Sequence, residues 1–171
     1  METEAIQIGV VMQRRHIGNR WQPYAWSPVE VVHDTGVFQE PTCIGEDEAD
    51  WRWLFSGIQV SLYTDEAEGY FLNATSPEPC WFIMWRLEEH NGLELAMPKT
   101  VTLSYNAAAR MMDAGEQVDT LPLQKQLTEH LLAFANAYYQ PEPRKKRRKP
   151  SFEGGAEIEQ MAQVPKDADG C

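Results

Sequence analysis

The first half of the chain alternates between apolar and polar residues, with the period of two that β-strands have. Ile6 to Gln13 carries isoleucine, valine and methionine on one face, and it predicts a first strand. A second strand follows Pro28 through three valines, and a third begins where Trp51 and Trp53 fall on the same face. Residues 34–50 combine glycines, a proline and a run of acids, and they predict a long loop.

The middle of the chain continues this strand pattern. Residues 58–63 alternate again, and residues 70–75 predict a further strand after a polar turn. Residues 80–87 are apolar on both faces, which is typical of a central strand covered on both sides. Asn91-Gly92 predicts a two-residue hairpin turn, after which the chain returns as a last strand.

The period then changes to that of α-helices. Ser104 suits the N-cap of a short helix at Tyr105–Ala114, and Gly115 follows its end. Leucines and aromatic residues at helical spacing predict a second helix at Pro122–Tyr139, with the proline in its first turn. Strands followed by helices indicate an α+β fold: a mostly antiparallel sheet of about six to seven strands, then two helices.

The composition divides the chain at residue 140. Residues 1–139 carry the apolar pattern and predict a single α+β domain, whereas residues 140–171 are polar and rich in charge, proline and glycine. Such a segment buries too little apolar surface to offset its chain entropy, so a disordered C-terminal tail is expected. The tail contains an uninterrupted basic run of six residues: Arg144, Lys145, Lys146, Arg147, Arg148 and Lys149.

Charge is distributed unevenly between these two parts. Residues 1–140 contain 8 basic and 20 acidic residues, a net charge of −12, whereas residues 141–171 contain 7 and 6, a net charge of +1. An acidic domain repels phosphate backbones and anionic membranes, so we expect cationic protein surfaces as partners, the chain's own tail included. Alternatively, the tail does not interact with the domain and only increases the solubility of the protein.

Cysteine usage and the first residues bear on the compartment. Cys43, Cys80 and Cys171 are odd in number and far apart, which favours reduced thiols over disulfides or a zinc site. Acids precede an apolar run too short for a signal peptide, and no stretch reaches the length of a membrane span. We therefore expect a cytoplasmic protein without membrane insertion.

Arginines beside aromatic residues form a candidate partner surface after the first strand. This combination is typical of binding hot spots and of stacked guanidinium groups. A structural alternative is that Trp21 and Trp26 cap the core while the arginines pair with the acidic surface. The candidate residues are Arg14, Arg15, Arg20, Trp21, Tyr24 and Trp26.

The sequence predicts no catalytic, cofactor-binding or metal site. Its four histidines share no ligand spacing, and the acidic clusters at 46–50 and 65–68 lack the alternating ligands of calcium loops. No glycine-rich phosphate loop follows a strand and opens a helix. We therefore expect a protein that is not an enzyme and that carries no cofactor.

Three stretches carry a family resemblance: residues 6–32, 62–73 and 100–123. Together they resemble a proteobacterial family of small domains of unknown function whose genes lie beside formate dehydrogenase genes. Some members carry the label of a molybdopterin-guanine dinucleotide biosynthesis protein. The resemblance spans most of residues 6–139, and it implies a role beside a metalloenzyme but no catalytic residues.

The functional expectation joins this resemblance to the missing catalytic motifs. It is a non-catalytic accessory protein that assists assembly or maturation of a molybdenum- or tungsten-dependent formate dehydrogenase, with that enzyme or its maturation factors as partner. One alternative is a nucleotidyltransferase acting on molybdopterin, which needs an anion cradle for its nucleotide. Another is a regulator that binds nucleic acid through the basic run, which we do not expect beside so acidic a domain.

Overall fold

The structure is a computed structural model, and it describes residues 1–34, 36, 40–47, 50–141 and 143. Nearly all of the predicted tail, including the basic run, lies outside these residues. Met1–Pro141 forms one compact unit. The strands within the described part are β1 Glu2–His16, β2 Tyr24–His33, β3 Thr42–Asp47, β4 Asp50–Tyr63, β5 Cys80–His90, β6 Leu93–Thr102 and β7 Gln117–Pro122. The α-helices there are α1 Ala67–Ala74, α2 Tyr105–Asp113 and α3 Lys125–Tyr138.

The strands form two antiparallel sheets. Sheet A has the order β2-β1-β4-β3, and sheet B has the order β6-β5-β7. One hydrophobic core takes side chains from both sheets and from α1 and α3. The α+β class is therefore confirmed, whereas the prediction of one sheet followed by two helices is wrong in its arrangement. In the described residues α1 precedes β5, α2 lies between β6 and β7, and α3 follows β7.

The prediction of a strand at residues 70–75 is wrong, because α1 occupies this stretch. Ala67, Tyr70, Asn73 and Ala74 are buried, and they recur at the spacing of one helix face. The sequence pattern does not indicate this helix face, because Gly69 and Asn73 interrupt its apolar residues. Along the chain, α1 separates the four strands of sheet A from the three strands of sheet B.

The prediction of a loop across residues 34–50 is wrong in part, because Thr42–Asp47 forms β3 and pairs with β4. β3 is an edge strand of sheet A, and Cys43 and Glu46 on it are exposed. An exposed edge strand needs no apolar face, so the period-of-two signal is missing. Gly45, at a shift in the pairing register, weakens the signal further.

β7 lies between the two predicted helices and has no counterpart in the sequence pattern. It pairs antiparallel with β5 along Gln117–Pro122. Pro122, predicted in the first turn of a helix, is the last residue of β7, and α3 begins at Lys125 instead. β7 is an edge strand of sheet B, where the missing N–H of a proline is tolerated.

Several local predictions are confirmed. β5 is the central strand of sheet B, and its residues 81–84 are all buried. Asn91 and Gly92 have φ angles of 50° and 80°, as the predicted hairpin turn requires. Ser104 caps α2 as predicted, since its hydroxyl accepts a hydrogen bond from the Ala107 N–H at 3.1 Å.

Polar side chains join Glu66, the residue before α1, to α2. The Ser104 side chain, which is fully buried, also donates to Glu66 Oε2 at 2.6 Å. Arg110 of α2 pairs with the other carboxylate oxygen of Glu66. Gly69 fits against this junction because it has no Cβ: a Cβ there would stand 2.0 Å from Ser104 Oγ.

We expect Gly69→Ala to lower the free energy of unfolding by about 1–3 kcal/mol, because the added methyl group must push the buried hydroxyl aside. Urea unfolding followed by tryptophan fluorescence measures the change. Gly45→Ala is the matched control, since the nearest atom to its new Cβ is 3.8 Å away, an ordinary contact. Equal losses in both variants would contradict the close packing at Gly69.

Asp34 ties the end of β2 to β4. Its carboxylate accepts hydrogen bonds from the backbone N–H of Gly36 at 2.8 Å and of Gly57 at 2.7 Å. The bond from Gly36 has the larger effect and the bond from Gly57 the smaller, and together they hold the pKa of Asp34 below its ordinary value of 3.8. The ionised form is therefore favoured in the folded state.

The stability that Asp34 contributes should be lost in acid. A carboxyl group with a lowered pKa stabilises the fold above its unfolded pKa, and this contribution disappears as the pH falls through the folded value. We expect Asp34→Asn to be less stable than the wild type at pH 7, with a difference that shrinks below pH 3.8. Urea unfolding at a series of pH values tests this, and a difference independent of pH would refute it.

Candidate functional site

A groove of about 390 Å³ opens between the end of sheet A and the β5–β6 hairpin. We call it the Arg14 groove. Its first wall comes from β1, β2, β4 and the β1–β2 connection: Arg14, Trp21, Gln22, Pro23, Tyr24, Trp26 and Trp51. Its second wall comes from β5, β6 and their turn: Trp85, Leu87, Gly92, Leu93 and Glu94. Most of these side chains are aromatic or aliphatic.

Arg14 stacks on aromatic rings of both neighbouring strands. The pairing register places it opposite Trp26 on β2 and Trp51 on β4, so the three side chains share one face of sheet A. The central guanidinium carbon lies 4.0 Å from the ring centre of Tyr24 and 4.3 Å from that of Trp51. Both distances are those of cation–π contacts, which fix the guanidinium group in place.

A row of indoles connects this wall to the core. Trp26 and Trp51 have ring centres 5.8 Å apart, and Trp51 meets Trp53 edge-on at 5.2 Å. Trp53 is buried, whereas Trp26 and Trp51 are half-buried. The indoles at the groove are therefore held by packing behind them, so little side-chain entropy remains for a ligand to remove.

Trp21 differs from these indoles because it is 91% exposed. The connection that carries it is closed at its base, where the N–H of Ile17 donates to the carbonyl of Pro23 at 2.9 Å. The backbone N–H of Trp21 donates a hydrogen bond to Asn19 Oδ1 at 3.0 Å. These two hydrogen bonds hold the backbone around a tryptophan that contributes almost nothing to the core, which is unusual for so large an apolar side chain.

The second wall is apolar with an acidic end. The indole N–H of Trp85 donates to Asp119 Oδ2 at 2.6 Å, which fixes the ring. Leu87 and Leu93 are 49% and 41% exposed, respectively. Glu94, next to Leu93 in the chain, also lines this wall. Two leucines and a fixed indole facing open space form a surface suited to contact with another apolar group.

The structure brings together four of the six residues predicted for the partner surface: Arg14, Trp21, Tyr24 and Trp26. Arg15 projects from the opposite face of sheet A, where its Nε donates to Gln13 Oε1 at 3.2 Å. Arg20 lies exposed in the β1–β2 connection and does not line the groove.

The alternative prediction is that Trp21 and Trp26 cap the core while the arginines pair with acidic residues. It holds only for Trp26, which packs against the core. Trp21 caps nothing, as its exposure shows, and the guanidinium of Arg14 stacks on rings instead of pairing with an acid of the described residues. The basic run predicted as an electrostatic tail lies outside the described residues.

Sequence reasoning missed the lining residues that come from distant strands. The sequence predicts that Trp51 lies on a strand, but nothing local indicates that it pairs opposite Arg14. Trp85 and Leu87 sit inside an apolar run that predicts only a covered strand. The hairpin turn was the one usable signal for Leu93 and Glu94, since it fixes which residues of β6 lie beside β5.

Other candidate chemistry is sparse in the part of the chain that the structure describes. There, no three histidine, cysteine or acidic side chains come together in a way that could hold a metal ion. Burial, followed by the charge of Glu78, raises the pKa of the Cys80 thiol, which makes it a poorer nucleophile. His130 pairs with Glu4 at 2.6 Å. None of the helices in these residues has both the length and the apolar character needed to cross a bilayer.

Comparison with known families gives one match. Residues 7–148 match a family described as protein of unknown function (DUF3305), and this range contains every lining residue of the Arg14 groove. Comparison with curated proteins and with solved structures gives no match. Because the matched range covers most of its length, the chain belongs to the DUF3305 family of proteins of unknown function.

Proposed function

We propose that this chain is a non-catalytic accessory protein that binds a segment of a protein partner in the Arg14 groove. The partner is a molybdenum- or tungsten-dependent formate dehydrogenase or one of its maturation factors. The observation that carries the binding role is the groove itself, with fixed rings on both walls and Trp21 exposed at its edge. The choice of partner rests on the resemblance of residues 6–32, 62–73 and 100–123.

The composition of the groove supports protein binding. Tryptophan, tyrosine and arginine dominate the hot spots of protein interfaces, and such residues cluster where a partner side chain fills a pocket. Here Trp21, Tyr24, Trp85 and Arg14 lie around one opening, and Leu87 adds exposed apolar surface. Burying these groups against a partner would gain apolar contact area with little loss of side-chain freedom, because most of the rings are already fixed.

Gene replacement in the native host tests this proposal. We expect deletion of the gene to lower formate dehydrogenase activity or its metal-cofactor content, and Trp21→Ala to reproduce that loss. Trp21→Ala should not destabilise the fold, because the side chain is 91% exposed. Tyr138→Ala is the matched control, since this aromatic residue of α3 is also exposed, at 53%, but lies away from the groove. Normal activity and cofactor content after deletion would overturn the proposal.

A further inference from the structure

Arg14 is the one basic residue among the described residues that line the Arg14 groove. Its guanidinium group is half-buried and held against the rings of Tyr24 and Trp51, with its central carbon 4.0 and 4.3 Å from their centres. Within the described residues its N–H groups donate no hydrogen bond and form no ion pair, although other bases there pair with acids, such as Lys99 with Glu88 at 2.6 Å. A cation that is fixed in place, partly removed from water and without an acceptor favours an anionic ligand.

The charges around the groove favour a carboxylate over a phosphate as this anion. A carboxylate carries a single negative charge, and its two oxygens can accept two parallel hydrogen bonds from one guanidinium group. A phosphate monoester carries about −1.5 to −2 charges at pH 7. Arg14 would neutralise only part of that charge, and the remainder would be repelled by Glu94 on the second wall and by the net charge of −12 on residues 1–140.

The difference between the two walls favours an extended peptide over a free anion. The first wall holds Arg14, whereas the second presents apolar surface from Trp85 and Leu87, which are two positions apart on β5 and share one face. An extended peptide likewise points successive side chains to opposite sides, so the two neighbours of any residue lie on the same side, about 7 Å apart. An acidic residue between two apolar residues therefore fits both walls at once, with its carboxylate toward Arg14 and its neighbours toward Trp85 and Leu87.

We infer that the Arg14 groove recognises an extended segment of the partner protein in which an aspartate or glutamate stands between two apolar residues. The carboxylate accepts two hydrogen bonds from Arg14, and the apolar side chains pack on Trp85 and Leu87. The rings of Tyr24 and Trp51 hold the guanidinium group before the segment arrives, so the ion pair forms with little loss of side-chain freedom. The inference rests on the proposed function in one respect, namely that the groove binds a protein segment, and it adds the pattern that this segment carries.

NMR titration of the purified full chain with two synthetic peptides tests this inference. Both peptides are acetylated and amidated: one has the sequence ALELA, and the other, ALQLA, keeps its shape but lacks the charge. We expect ALELA to shift the indole N–H resonances of Trp21, Trp51 and Trp85 saturably, and ALQLA to bind tenfold or more weakly. The resonance of Trp81, which is buried in the core and does not line the groove, should not move. Equal affinity for the two peptides, or no binding of ALELA, would overturn the inference.

Variants of Arg14 show whether this residue reads the charge. Arg14→Ala should bind ALELA and ALQLA equally and weakly, and Arg14→Lys should restore part of the preference for ALELA. Arg52→Ala, which removes an arginine from the other side of sheet A, should keep the full preference. A preference that survives in Arg14→Ala, or displacement of ALELA by inorganic phosphate at a tenfold lower concentration than by acetate, would overturn the inference. Because these experiments use short peptides, that outcome leaves the formate dehydrogenase proposal standing, and the host experiment tests it separately.

Discussion

Asn73→Ala should lower the free energy of unfolding by about 3 kcal/mol or more, since each buried polar group left without a partner costs about 1–3 kcal/mol. The Asn73 side chain is 1% exposed and joins α1 to the first residue of β5, Cys80, and to Leu103, which follows β6. Its amide donates to the carbonyls of Cys80 at 2.8 Å and Leu103 at 2.9 Å. Its oxygen accepts from the N–H of Cys80 at 3.0 Å. Urea unfolding followed by tryptophan fluorescence measures the loss.

Two further substitutions separate the hydrogen bonds of Asn73 from its packing. Asn73→Asp keeps the shape and the acceptor for the Cys80 N–H but removes both donors, so it should be nearly as harmful as alanine. Leu72→Ala alters the neighbouring residue, which is 41% exposed, and should change stability by about 0.5 kcal/mol or less. If Asn73→Ala cost no more than Leu72→Ala, α1 would not be anchored through this side chain.

Arg14→Ala should lower the free energy of unfolding by about 2 kcal/mol, since two aromatic rings lose the cation stacked on them. It should also reduce the near-ultraviolet circular dichroism of the indoles, because Trp26 and Trp51 lose the group that lies between their strands. Arg14→Lys should recover only part of both signals, since an ammonium group lacks the planar surface that stacks on a ring.

Arg52→Ala is the matched control for Arg14→Ala. Arg52 follows Trp51 on β4 and faces the other side of sheet A, where it forms a surface ion pair with Asp50 at 3.6 Å. Such exposed pairs contribute less than about 1 kcal/mol, and the indole dichroism should stay unchanged. An equal effect of the two alanine variants on the dichroism would mean that the rings at the groove are not ordered by Arg14.

The features that the sequence predicted correctly are encoded within a few neighbouring residues. Ser104 caps α2 because a hydroxyl at that position reaches an N–H three residues later. Asn91 and Gly92 turn the chain because both tolerate positive φ angles. In α1, by contrast, the buried positions include Gly69 and Asn73, whose roles depend on partners far along the chain. Neither residue reads as part of an apolar face.

The Arg14 groove was predictable only on one side for the same reason. Arg14, Tyr24 and Trp26 are close in the chain, so their types and spacing were enough to suggest a surface. Trp51 and Trp85 reach the same groove through the pairing of β4 with β1 and the packing of the two sheets. Pairing partners and register follow from the whole fold, and no local pattern specifies them.

Binding of the purified chain to purified formate dehydrogenase from the same host tests the central claim most directly. With the chain immobilised, we expect saturable binding that Trp21→Ala weakens tenfold or more, which corresponds to about 1.4 kcal/mol. Tyr138→Ala, exposed but away from the groove, should bind as the wild type does. Binding that Trp21→Ala leaves unchanged would contradict the role of the groove, and no binding to the enzyme or its maturation factors would contradict the choice of partner.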